Sequence, residues 1–419
     1  MGLLIKNVSW MITPDKVFKN TNIYIEDGKI IEFKSQEADK VINAEGYAVL
    51  PGMINLHTHI PMNFLRGISE NLPLTEWLER EIWPREKKLN ERIVYLAAKL
   101  GIAEATRFGT TSFVDMYFHE NQVARAAEEA GIRAWLGEVV FDFNDNSLTD
   151  DAVSKTEKNI DHLTRKKLIT PIVTPHAPNT CSARLLKSLH TVSHEEHLIY
   201  HPHLSETRKE KEEIRKRTGK TPLKYLDSLK VVDENFIGAH GVWLSPGEMT
   251  LMRLRQASIA HCPTSNLKLG SGIAPVVNYL NKGINVGLGT DGQASNNNLD
   301  MFREMKQAAL LQKLKNPKFP AVNVLKMATS YGARALGFPG GKIAVDCPAD
   351  LVLVNINQPH FQPLMTRKQA LNNIVFSASG SDVSYTIVDG RTVYDGQTNH
   401  EKTVSELKNA LLKYGLIED

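Results

Sequence analysis

The residues best able to do chemistry in this sequence are histidines and carboxylates that close short apolar runs. His57-Thr58-His59 ends a run that begins at Ala48, and Tyr200-His201-Pro202-His203 leads into Glu206. His240 follows Gly238-Ala239, and Asp291 stands between Thr290 and Gly292. Side chains two apart in a strand point the same way, so His57 and His59 can face one ion. The same parity leaves His201 and His203 equivalent as sources of a third imidazole. Imidazoles with one carboxylate suit a single borderline-soft divalent ion, zinc foremost and iron as the alternative. With a coordination position left to water, such an ion lowers the water's pKa toward about 7 and makes hydroxide available at neutral pH.

These side chains meet only if strands deliver them to one rim. Eight strand-like runs alternate with amphipathic helices: Val49 to His57, Thr111 to Met116, Ile132 to Val140, Ile169 to Thr174, Leu198 to Leu204, Phe236 to His240, Ser258 to His261 and Asn285 to Thr290. Eight such repeats predict an α/β fold, the (β/α)8 TIM-type barrel, whose active site lies at the C-terminal ends of its strands. Asn90 before the run Ile93, Ala97, Leu100, Ala103 and Ser245-Pro246 further on are helix starts. Short β-type runs with turn signals, Glu26-Asp27-Gly28 near one end and Asp389-Gly390 near the other, predict a small β-sandwich domain built from both termini, 1–50 and 345–400. The barrel then spans 51–344. Val404, Leu407, Ala410 and Leu411 recur at helical spacing, so 401–419 is expected to be a C-terminal helix.

Composition removes other classes of function. The 50 basic and 47 acidic residues nearly cancel, and no Lys/Arg cluster is interleaved with aromatics, which argues against a nucleic-acid partner. The charged run Thr207 to Lys220 carries both signs and reads as a solvated helix face. No stretch approaches the roughly 18 apolar residues of a membrane span, and no signal-peptide pattern opens the chain. Cys181, Cys262 and Cys347 are too few and scattered for a disulfide framework or a thiolate cage. The expectation is a cytoplasmic protein with a small-molecule substrate and no membrane partner; a homo-oligomer is compatible with the sequence.

The motifs in their order closely resemble those of the amidohydrolase superfamily, in the branch of methylthioadenosine/S-adenosylhomocysteine deaminases, with guanine deaminases and triazine chlorohydrolases as relatives. Seven segments spread over nearly the whole chain carry the resemblance. They are Leu50 to His59, Ile82 to Glu86, Pro175 to Pro178, His203 to Thr207, Ala239 to Val242, Ser265 to Gly272 and Gly289 to Gly292. The resemblance selects His203 through its His-x-x-Glu spacing to Glu206, leaving His201 as a packed residue or one that supports a ligand from behind. It implies that His57, His59, His203 and Asp291 bind the metal and that Asp291 also takes the proton from the attacking water. Glu206 would pass a proton to the ring nitrogen beside the attacked carbon, and His240 would orient the hydroxide. Glu86 matches the position that binds ribose hydroxyls and His176 one that contacts the substrate. The implied reaction is hydrolytic deamination of an aminated purine nucleoside such as methylthioadenosine, S-adenosylhomocysteine or adenosine.

Thr174-Pro175-His176 stands where two-metal members carry a modified lysine, which favours one ion over a two-metal amidase. The alternatives are a deaminase of a free base such as guanine, a triazine-type chlorohydrolase or aminohydrolase, and a metal-free scaffold of the same fold. Glu206 argues against the dehalogenase, because an expelled halide needs no proton. The chain departs from the family where Phe141 to Ser147 follows the third strand without an arginine, at Asn179, and at His261-Cys262-Pro263.

Overall fold

A computed structural model of the chain describes residues 2–397 and 400–417. Residues 398–399 of the expected small domain, Met1, and the last two of the expected 401–419 segment lie outside the described residues.

The barrel strands are β1 (Met53–Thr58), β2 (Thr110–Tyr117), β3 (Arg133–Val140), β4 (Ile169–Pro171 with Thr174–Pro175), β5 (His203–Leu204), β6 (Ile237–His240), β7 (Ser258–His261) and β8 (Asn285–Leu288). β1 to β4 pair in parallel, as do β5 to β8. Parallel bridges from Val173 to Tyr200 and from Tyr200 to Phe236 join the two halves. On the other side the Asp291 amide donates to the His57 carbonyl at 3.0 Å, and Asn55 of β1 bonds Thr290 in both directions. The ring therefore closes between β8 and β1, at the two segments that carry His57 and Asp291.

Strand boundaries differ from the sequence reading in several places, two of them for a backbone reason, and β8 ends at Leu288 rather than Thr290. The run from Val49 to His57 is two strands, because Tyr47–Pro51 pairs with Leu351–Asn355 and Gly2–Ile12 in a separate sheet. The break falls at Gly52, where a Cβ would lie 2.1 Å from Thr111 Oγ1, so only glycine lets the chain pass β2 this closely. β5 shrinks to two residues because Pro202 has no amide hydrogen to donate to the ladder. β4 is interrupted at Ile172–Val173.

Strands from both termini form one eight-stranded hydrogen-bonded sheet. One of its faces, through Trp10, Leu50 and Val352, joins the main apolar core with barrel and helix residues such as Leu204, Ile259 and Phe302. Arg133, which opens β3, bonds Asp350 and Asp389 of this sheet at 2.7 and 3.0 Å. Since β3 begins there, the sheet sits toward the N-terminal ends of the barrel strands and leaves the opposite rim free.

Helix Glu91–Arg107 is capped by Asn90, whose side chain accepts from the Ile93 amide, and helix Pro246–Leu254 starts with a capping box between Ser245 and Glu248. Helix Glu401–Lys413 buries Leu407, Ala410 and Leu411, which share one apolar cluster with Ile93, Leu96 and Ala97 of helix Glu91–Arg107.

Candidate active site

The C-terminal ends of β1, β5, β6 and β8 bring the sequence-derived residues together around one cavity of about 250 Å³. Its wall includes His59, His203, Glu206, His240 and Asp291, together with Glu86 and His176; His57 is fully buried beneath them. Three residues at these strand ends, Ser205, His240 and Asp291, have left-handed backbones with φ of +48°, +71° and +62°. That conformation is costly for non-glycine residues and persists only where surrounding bonds enforce it. Glu210 supplies one such set by accepting from the amides of Ser205 and Glu206 at 2.9 and 2.7 Å. Glu210 is buried, so the charged run from Thr207 to Lys220 is not uniformly a solvated face. Gly289 lets β8 approach β1, since a Cβ there would sit 2.9 Å from the His57 amide nitrogen.

The hydrogen bonds fix which nitrogen of each imidazole is free. His59 Nδ1 donates to the Met116 carbonyl at 2.7 Å, and His203 Nδ1 to the His176 carbonyl at 2.8 Å. A carbonyl can only accept, so both Nδ1 atoms carry hydrogen and a neutral ring keeps its lone pair on Nε2. His57 obeys the same logic through one intermediary. His201 Nδ1 donates to the Ile237 carbonyl at 2.7 Å, which leaves His201 Nε2 to accept from His57 Nδ1 at 2.9 Å. The Nε2 of His57 is buried without a hydrogen-bond partner, as expected of a ligand atom. The potential ligand atoms of His57, His59 and His203 lie within 4.8 Å of one another. Asp291 Oδ1 is 3.2 Å from His59 Nε2 and 3.7 Å from His57 Nε2. Three free imidazole nitrogens and a carboxylate oxygen at such separations fit one divalent ion.

His57, His240 and Asp291 form a second set within 4.8 Å. His240, however, donates from Nδ1 to Asn266 Oδ1 at 2.9 Å and turns Nε2 toward Glu206 Oε2 at 3.7 Å. Burial lowers its pKa, but the carboxylates of Glu206 and Asp291 outweigh burial and raise it. Burial, reinforced by neighbouring imidazoles, holds His57 and His203 well below the ordinary histidine range. It also pulls His176 and His201 to about 4. Glu206 is pushed up by burial, and its Oε1 accepts from Ser271 Oγ at 3.0 Å. Asp291 is pushed up by burial and pulled down further by His59, His240, the Ser265 hydroxyl and the Gly292 amide, with a lowered pKa as the result.

Glu86 is held over the cavity by the short helix Trp83–Glu86 and accepts from Tyr117 Oη at 2.7 Å. His176 Nδ1 meets Thr180 Oγ1 at 2.8 Å. The sequence reading missed Tyr117 and Asp115, both at the end of β2. Asp115 Oδ1 accepts from Thr58 Oγ1 and the Ile60 amide, each at 2.7 Å, and so clamps both sides of His59. The strand-end criterion that selected His57 and Asp291 would have found both had it been applied to β2. His201, expected to be packed or to support a ligand from behind, does the latter by fixing the tautomer of His57.

A parallel eight-stranded barrel with imidazoles and carboxylates gathered at the C-terminal rim defines the class, a (β/α)8 hydrolase barrel with a candidate metal centre. The chain belongs to the amidohydrolase family, whose family model matches residues 48–393. It is 43% identical to the 5'-deoxyadenosine deaminase of Methanosphaera stadtmanae over 98% of each chain. It is 42% identical to the 5-methylthioadenosine/S-adenosylhomocysteine deaminase of Pyrococcus furiosus, covering 96% of this chain and 99% of that one. Among solved structures, an adenosine deaminase from Xanthomonas campestris with bound zinc superposes with a TM-score of 0.93 at 30% identity, over 99% of both chains.

Proposed function

We propose that this chain uses one divalent ion, zinc foremost, to deaminate an adenosine derivative such as 5'-deoxyadenosine, methylthioadenosine or S-adenosylhomocysteine. The observation that carries the reading is the convergence of three free Nε2 atoms and Asp291 on one point, with Glu206 and His240 beside it. The names of the full-length relatives and the bound zinc of the Xanthomonas campestris structure support the substrate class and the metal.

His57, His59, His203 and Asp291 would hold the ion. Bound there, a divalent cation supplies the acidity that brings a water's pKa toward about 7. Asp291, with Oδ2 anchored by Ser265 Oγ at 2.5 Å, keeps Oδ1 toward the imidazoles and takes the proton of the attacking water. Glu206, protonated, passes its proton to the ring nitrogen beside the attacked carbon, so that the tetrahedral centre forms without a ring anion; the proton held by Asp291 then goes to the amino group, the C–N bond breaks to release ammonia, and the new hydroxyl returns its proton to Glu206 as it becomes the carbonyl. His240, fixed by Asn266, orients the attacking water. Glu86, steadied by Tyr117, accepts from ribose hydroxyls, and His176 contacts the substrate.

Ammonia release from a panel of adenosine derivatives, guanine, cytosine and amino-triazines, measured with metal-loaded protein, tests this function. Turnover of adenosine derivatives is expected, and failure to deaminate any aminated heterocycle refutes it. A second measurement concerns His201. Replacing it with Ala or Leu is expected to weaken zinc binding by about 10- to 100-fold, read by competition with a chromophoric chelator, because His57 loses the acceptor that fixes its tautomer. Unchanged affinity in both variants would remove His201 from the metal centre.

The small sheet is proposed to double back as the two-layered sandwich expected from sequence, with 1–50 and 345–400 as one domain and 51–344 as the barrel; the C-terminal helix expected over 401–419 runs from Glu401 to Lys413. Support comes from an apolar cluster in which Leu3, Ile5 and Ile23 join Val49 and Leu351 of the adjoining strands and Ile387, four strands away from Ile23. A cytoplasmic location belongs to the same reading, and a homo-oligomer is compatible with it. Among the described residues no helix is long and apolar enough to cross a membrane.

A further inference from the structure

Two carboxyl groups that the mechanism above does not use lie fully buried outside the wall of the cavity: Asp115 at the end of β2 and Glu120 at the start of helix Glu120–Ala130. The turn between them is tightly held. The Tyr117 amide donates to Glu120 Oε1 at 2.8 Å, and the amides of His119 and Glu120 donate to the Glu138 carboxylate of β3 at 3.2 and 3.0 Å. His119 has a left-handed backbone with φ of +56°, which folds the chain back so that Glu120 meets the strand it has just left.

Each carboxyl has one oxygen that is bonded and one that no donor reaches. Asp115 Oδ1 takes bonds from Thr58 Oγ1 and the Ile60 amide, both at 2.7 Å, and Glu120 Oε1 takes the bond from Tyr117. Asp115 Oδ2 and Glu120 Oε2 are buried without an N–H or O–H facing them. Burying a polar oxygen without a partner is costly. The two groups are close enough to act on each other directly, and among the described residues no lysine or arginine forms an ion pair with either. Two neighbouring acceptors can bond only if one carries a proton, and repulsion between two buried like charges favours the same outcome. The proton belongs on Glu120. Asp115 receives two hydrogen bonds, which stabilise a carboxylate, whereas Glu120 receives one and feels the carboxylates of both Asp115 and Glu138. Burial and these two neighbours push Glu120 well above the usual carboxylate range, while Asp115, raised by burial, reaches only about 6.

The pair bears on His59 through the strand end that carries it. Asp115 holds the residues on both sides of His59, and the next carbonyl of β2, that of Met116, holds the ring through Nδ1 at 2.7 Å. Oδ1 can stay on Thr58 and Ile60 only while the carboxyl plane of Asp115 is fixed. A donor at Oδ2 fixes that plane, and without one the group is free to turn.

We propose that Glu120, as the neutral acid, donates a hydrogen bond to Asp115, and that this buried pair is the positioning element that sets His59 toward the ion. The inference rests on the metal-centre reading above. Zinc affinity, measured by chelator competition, and the visible absorption of cobalt-substituted protein are compared between wild type and variants. Asp115→Ala and Glu120→Ala are each expected to weaken zinc binding about 10- to 100-fold and to shift the cobalt bands, which report ligand geometry. Glu120→Gln, isosteric and still a donor, is expected to stay within about threefold of wild type in affinity and to keep the cobalt spectrum. The double alanine variant is expected to bind no more weakly than Asp115→Ala, because Glu120 acts through Asp115. The proton is read separately: the infrared difference between wild type and Glu120→Gln should show the loss of one carbonyl band of a neutral carboxylic acid. Should the alanine variants not fold, Glu120→Gln and that band decide alone. Zinc binding in Glu120→Gln as weak as in Glu120→Ala, additive losses in the double variant, unchanged affinity in both alanine variants, or no such acid band overturns the inference and leaves the metal centre standing. A wild type that binds no zinc overturns both.

Discussion

Glu206→Gln should keep its metal and lose deamination by about 100- to 10,000-fold, the range that general acid–base catalysis contributes. The expectation follows from the shape of the change. Glutamine is isosteric, so Oε1 can still accept from Ser271 Oγ and the backbone of residue 206 can still donate to Glu210. None of the proposed ligands is disturbed, and only the transferable proton is lost. The loss corresponds to about 3–5 kcal/mol of transition-state stabilisation. The check pairs steady-state kinetics with metal analysis on the same preparation. Full metal content with an unchanged rate would remove Glu206 from the mechanism; low metal content would make it structural.

Removal of the ion should have an effect at least as large. Dialysis against a chelator is expected to lower turnover by about 1,000-fold or more, since the water then reverts toward its bulk acidity, and zinc should restore it. In His203→Ala the free Nε2 is gone, so metal content should fall well below one ion per chain and added zinc should restore little activity. Because the ion binds the folded chain, holo protein should also resist denaturation better, by about 4 kcal/mol when the ion is present at 1,000 times its dissociation constant. A chelated enzyme that retains its rate would exclude the metal-dependent reading, and more than about one ion per chain at saturation would exclude the single-metal site.

The part of the site legible in the sequence was the part governed by strand parity. His57, His59 and Asp291 close apolar runs at the barrel rim, and alternation alone gives their direction. Parity could not separate His201 from His203, and the structure explains why: both face inward, one offering a free Nε2 to the cavity and the other supporting His57 from behind. That distinction depends on which carbonyls lie nearby, Ile237 or His176, and so on contacts between strands far apart in the chain. The split of the first strand at Gly52 was hidden because the apolar pattern runs unbroken through it, while the cause is a side chain on the next strand, Thr111. The strain at Phe143 was equally invisible. Phe143 has φ of +48°, and it follows a buried carboxylate, Asp142, that gathers donors from its own loop and from the distant Ser182.

The small sheet also has a consequence for the order in which the molecule can be assembled. Pro51 pairs with Leu351 and Tyr47 with Asn355, so a strand made early in synthesis waits for one made near its end. Until that partner emerges, Tyr47–Pro51 presents an unpaired hydrogen-bonding edge, and the barrel strand that carries His57 and His59 starts two residues later. Pairings this distant in sequence slow folding and prolong the exposure of such edges. Refolding is therefore expected to be slow and to lose yield as protein concentration rises, with the N-terminal strands as the point of misassociation.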